Sequence, residues 1–80
     1  MSKQVSGWKQ EPELRRISNK TIDRVEMFLD LSDKPVSLGH IFLTLKMDYK
    51  SLKRIVAVMV RCGVVEVMET NSITYYRKVR

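Results

Sequence analysis

Cysteine, histidine and glycine are scarce in this 80-residue chain: one cysteine, Cys62, one histidine, His40, and three glycines. A lone cysteine cannot close a disulfide within the chain or supply the paired thiolates of a structural zinc site. It reads as a small buried or half-buried apolar side chain, with a disulfide across a dimer as the minor alternative. His40 has neither cysteine nor paired carboxylates at a spacing that would build a metal site, so it reads as a surface or edge residue. Glycines at 7, 39 and 63 are too dispersed for a phosphate-cradling loop. No catalytic group, metal, cofactor or small-molecule substrate is therefore expected. Long apolar runs are missing as well, and none approaches the roughly 20 residues of a membrane helix. The opening MSKQVSGWKQEPEL lacks the apolar centre of a signal peptide. A soluble, cytoplasmic protein with no membrane partner is expected.

Hydrophobic residues make up 44% of the chain and charged residues 30%, a globular balance and not a disordered one. Eighty residues fit one small domain with a thin core. The net charge of +6 is lopsided. Residues 1–45 carry seven Lys/Arg against six Asp/Glu, whereas residues 46–80 carry eight against three. Such asymmetry points to a polyanionic partner, because each phosphate neutralised releases condensed counterions. The bland alternative is a solvated surface.

Hydrophobic spacing supplies the elements. Residues 1–17 form an arm, either partly disordered or beginning a short helix at Leu14 and Ile17. Its Trp8 is expected to cover the core or, second, a partner subunit. Residues 18–80 form the domain proper. Ser18 or Asn19 can cap a helix over Lys20–Leu31 with Ile22, Val25, Phe28 and Leu29 as its apolar face. Pro35 ends a loop. Ser37 caps a second helix reaching Leu45, with Leu38, Ile41, Phe42 and Leu45 inward; Gly39 weakens it by about 1 kcal/mol and hints at a close crossing. Asp48 is placed to cap a third helix, Tyr49–Cys62, whose stripe is Leu52, Ile55, Val56, Met59 and Val60. Gly63 suits its left-handed exit. The period then changes: Val64–Thr70 and Ile73–Val79 are β-rich and flank the turn Asn71-Ser72, a two-stranded hairpin. Three helices plus a two-stranded wing, mainly α with a β-hairpin, is the order of a winged helix-turn-helix.

The run from Pro35 to Lys78 resembles the core of small prokaryotic winged helix-turn-helix transcriptional regulators, of the kind found in archaea and their viruses. The matching pieces are the Leu45-Lys46-Met47 turn, Leu52 and Ile55-Val56, the Gly63-Val64-Val65 exit and the Tyr75-Tyr76-Arg77 ending of the hairpin. That ending is similar to the wing of the arsenic-repressor-like group, whose metal-binding cysteines this chain lacks. With the first helix, the resemblance spans about three quarters of the chain. It implies sequence-specific binding of double-stranded DNA and regulation of transcription, commonly as a homodimer whose paired helices meet major grooves about 34 Å apart.

Under that reading the third helix enters the major groove. Lys50, Ser51, Lys53 and Arg54 are the candidates for base or phosphate contact, with Arg54 the best for a bidentate guanine contact. Tyr49 either donates to a phosphate or packs at the core edge against Leu45. In the wing, Arg77, Lys78 and Arg80 would hold phosphates or the minor groove. Arg61, late in the helix, is expected to pair with an acidic side chain. Two rivals rank below. One is a nonspecific architectural DNA binder using the same basic face. The other is a protein-interaction module working through Met27, Met68, Trp8 and Tyr76.

Overall fold

A computed structural model describes residues 5–79 of the chain. Three α-helices, α1 (Asn19–Leu31), α2 (Leu38–Leu45) and α3 (Tyr49–Arg61), combine with β1 (Val36–Ser37), β2 (Val65–Thr70) and β3 (Ile73–Lys78). Short 3-10 turns at Val5–Gln10 and Pro12–Leu14 precede them. The result is an α+β domain with one three-stranded antiparallel sheet, in the order β1-β3-β2.

Each α-helix begins where a side-chain oxygen takes an otherwise unsatisfied backbone N–H. The Ser18 hydroxyl accepts from the Thr21 amide at 3.2 Å, the Ser37 hydroxyl from His40 at 3.2 Å, and the Asp48 carboxylate from Ser51 at 2.9 Å. Loss of one such cap costs about 1 kcal/mol. Helix α3 ends in paired bonds from the Gly63 amide to Val60 (3.1 Å) and from the Val64 amide to Met59 (2.8 Å). That closure needs a left-handed residue, and Gly63 has φ +78°. Helix α2 ends on Lys46, also left-handed at φ +53°, while the Arg24 guanidinium donates to the Leu45 carbonyl at 2.9 Å. The chain thus turns into α3 within three residues.

The sheet holds one more strand than the expected two. Val36 and Ser37 pair with Tyr76 and Tyr75, which places β3 in the middle. Two residues are too few to show the alternation by which a strand is read, so the sequence carried no signal for β1. The β2–β3 hairpin runs in register from Val65↔Lys78 to Thr70↔Ile73. Asn71 and Ser72 both take positive φ, +52° and +68°, the turn whose twist matches paired strands.

The core gathers Ile22, Val25 and Leu29 of α1, Ile41 of α2, and Leu52, Ile55, Val56, Val58 and Met59 of α3. Each fully buried aliphatic side chain adds about 1.5–3 kcal/mol. The described part of the arm belongs to this core: Trp8 is only 4% exposed and Leu14 2%. Trp8 covers the core, the first of its two expected roles. The close crossing expected at Gly39 is absent, since a Cβ built there meets nothing within 4 Å. Gly39 is exposed on the first turn of α2 and its hydrogen atom serves no packing purpose.

Candidate nucleic-acid interface

Helix α3 buries one stripe and presents the opposite one. Positions 50, 53, 54, 57 and 61 follow the i, i+3, i+4, i+7 spacing that keeps side chains on one helical face. Lys50, Lys53, Arg54, Ala57 and Arg61 are all exposed. Lys50, Lys53 and Arg54 make no ion pair with any described residue, and Lys46 continues the positive surface into the preceding turn. Three of the expected contact residues are therefore together on one open cationic face.

The other two residues named on this helix have structural duties. The Ser51 hydroxyl donates to the Asp48 carboxylate at 3.1 Å, reinforcing the cap that the Ser51 amide already makes. Tyr49 sets its ring at 89° to Phe42 with centroids 5.3 Å apart, an edge contact with α2. Its other duty is electrostatic: the Lys53 ammonium lies 5.8 Å from the Tyr49 ring centroid. A cation over an aromatic face gains about 0.5–1 kcal/mol at an exposed site. Tyr49 thus steadies Lys53 at the leading end of the stripe.

Arg61 lies at the trailing end of the same stripe. Its guanidinium donates to Glu13 at 2.5 and 3.2 Å and to Glu11 at 2.6 Å. The hydrogen bond from Arg61 holds the Glu13 carboxyl below the usual glutamate range, with a smaller contribution from the nearby charge of Arg54. The same partners raise the affinity of Arg61 for its proton, the hydrogen bond to Glu13 first. The acidic partner expected for Arg61 is supplied by the arm.

The hairpin cations are placed differently. Arg77 and Lys78 lie at the base of the hairpin, opposite Glu66 and Val65, and not at its tip. Arg77 pairs with Glu66 at 2.7 Å across the strands. Lys78 reaches Asp30 of α1 at 3.4 Å and Glu26 at 3.9 Å. With Ser32, Asp33 and Glu66 these two cations line a cavity of about 260 Å³ by the end of α1, away from the α3 stripe. Their charge is matched by Glu66, Asp30 and Glu26, so this placement lends no support to the expectation that they hold phosphate. The hairpin register sets Arg77 against Glu66, whereas the packing of β3 beside α1 brings Lys78 to Glu26 and Asp30, which no local pattern in the sequence announces. The tip itself, Thr70-Asn71-Ser72-Ile73, carries no cation. Arg80 lies outside the described residues.

Of the two neighbouring tyrosines, Tyr76 faces the helices, and burial pushes its hydroxyl pKa up, with Tyr49 adding to the shift. His40 is exposed and meets Phe28 edge-on at 5.8 Å between centroids. Among the described residues no group of three or more His, Cys, Asp or Glu side chains is arranged to hold a metal ion, and no helix is long and apolar enough to cross a membrane. No family model, curated protein or solved structure matches the chain.

Proposed function

We propose that this domain is a winged helix-turn-helix that binds double-stranded DNA sequence-specifically and regulates transcription, with α3 in the major groove. The carrying observation is the unpaired face of Lys50, Lys53 and Arg54 on the leading turns of α3. Elsewhere Lys9, Arg61, Arg77 and Lys78 are engaged by carboxylates, and the exposed Arg15, Arg16, Lys20 and Lys34, which like the α3 cluster join no ion pair among the described residues, do not share a helical face with it. The order α1, β1, α2, α3, β2, β3 fits a winged helix, and the short turn at Lys46 supports presentation of α3. Arg54, with its planar fork of donors, is the residue for guanine; Lys50 and Lys53 supply phosphate or base contact. The hairpin lends its uncharged tip more readily than its base.

Two copies acting together extend this reading. Met27 and Leu31 on α1 are 62% and 75% exposed, an apolar pair at i, i+4 that a second copy would cover. Trp8, the other candidate for such a contact, is already within the core.

Fluorescence anisotropy with mixed-sequence duplex DNA at 50 and 200 mM salt tests the proposal, wild type beside Lys53→Ala/Arg54→Ala. Loss of the Lys53 phosphate contact flattens the log–log salt slope by about 0.9, and loss of both side chains weakens low-salt binding at least tenfold. Selection from a random duplex pool then yields one preferred site for a regulator and none for an architectural binder. No binding by wild type at 50 mM salt rejects the DNA reading in favour of a protein-interaction module.

A further inference from the structure

We propose that Glu11 and Glu13 form an acidic strap that closes the trailing end of the α3 cationic stripe to phosphate, so that the DNA footprint ends at Arg54. The inference rests on the DNA-binding reading above and concerns what limits that surface.

The strap is placed by its own anchors. Trp8 and Leu14, on either side of the two glutamates, are buried in the core. The Glu11 amide donates to the Trp8 carbonyl at 3.2 Å, and the Leu14 amide to the Glu11 carbonyl at 2.9 Å. The carboxylates therefore meet Arg61 with their backbone already ordered, across 50 and 48 residues of sequence. Arg61 is spaced to continue the stripe, seven residues or about 10 Å beyond Arg54. Left alone it would be the fourth cation on that face. Instead one guanidinium faces two carboxylates, and the triad carries a net charge of −1. A phosphate arriving there meets repulsion where the helix alone would offer attraction. The stripe is thus strongly positive at its leading end and negative at its trailing end. This polarity favours one end of α3 in the groove and opposes deeper seating along the helix.

The test measures salt-dependent DNA binding of the full chain as wild type, Glu11→Gln/Glu13→Gln, and the same double variant with Arg61→Ala added. Asp33→Asn/Glu69→Gln serves as a control that removes two negative charges elsewhere. If the strap screens Arg61, the glutamine pair steepens the salt slope by about 0.9 beyond the control and tightens binding at 50 mM salt up to about tenfold. Adding Arg61→Ala returns the slope to that of the control. Thermal melts of each protein check that it is folded, and Glu13→Gln alone, the gentler change, gives a smaller shift in the same direction. Equal slopes for the glutamine pair and the control, with wild type binding DNA, overturn the strap and leave the DNA reading standing. A gain that survives Arg61→Ala also overturns it, because general charge would then be the cause. Failure of wild type to bind rejects both.

Discussion

The two ends of α3 carry the same kinds of side chain on the same face, yet they present opposite surfaces. At the leading end Lys50, Lys53 and Arg54 project without carboxylate partners among the described residues. At the trailing end Arg61 is held by Glu11 and Glu13. Nothing within the helix makes this difference. It comes from the arm, whose Glu11 and Glu13 meet Arg61 at the end of α3 and make no ion pair with Lys50, Lys53 or Arg54. Helical periodicity tells which cations share a face; the remote chain decides which of them remain available.

That contrast can be broken most severely at its anchor. Trp8→Ala removes the arm's largest buried side chain and should destabilise the domain by about 3–5 kcal/mol, read by chemical denaturation. A smaller loss would mean that the arm is only loosely attached. Next, Gly39→Ala should stabilise by up to about 1 kcal/mol, since the position is helical and a Cβ there has open space. It raises stability without touching either end of α3, so DNA affinity should stay constant. Arg77→Ala/Lys78→Ala should cost at most about 1 kcal/mol for each exposed pair broken. It should also flatten the salt slope by less than half as much as the α3 double variant; an equal effect would return the hairpin base to the interface. The smallest effect lies in the pH dependence of the strap. The folded Glu13 carboxyl is held below its unfolded value, so its contribution is complete above the ordinary glutamate range and fades as pH falls through it. The gap in melting temperature between wild type and Glu13→Gln, small at pH 7, should narrow as pH falls and close only below the lowered value of the folded Glu13 carboxyl.

What could be read from the sequence was local. Ser18, Ser37 and Asp48 each act within three residues of themselves, and Gly63 and the Asn71-Ser72 turn are dictated by backbone geometry at the position concerned. The apolar stripe of α3 was legible for the same reason; Val58, three residues after Ile55, is buried with it, while Val60 is only half-buried. Strand β1 was not legible because it consists of pairing alone. The partners of Arg61 and Lys78 were hidden by distance along the chain. Arg61 could be set apart from Arg54 by its place late in the helix, but which carboxylates meet it came only with the fold. The cluster Lys50, Lys53 and Arg54 could be found from spacing; the partners of the other cations could not.

Strand β3 comes last among these elements and lies in the middle of the sheet. Val36, near the start of the domain, and Val67 of the hairpin are both joined through Tyr76. A nascent chain synthesised only as far as Ser72 would own both outer strands and nothing to lay between them. Its helices could form, but the sheet would wait for the final six-residue strand. The hairpin pairing is local, while the joining of β1 to β3 spans about forty residues of sequence and is the non-local step of the sheet. A chain shortened before Ile73 should lose more than its hairpin: it should lose the seam that joins β1 to β2, and with it the platform behind α3.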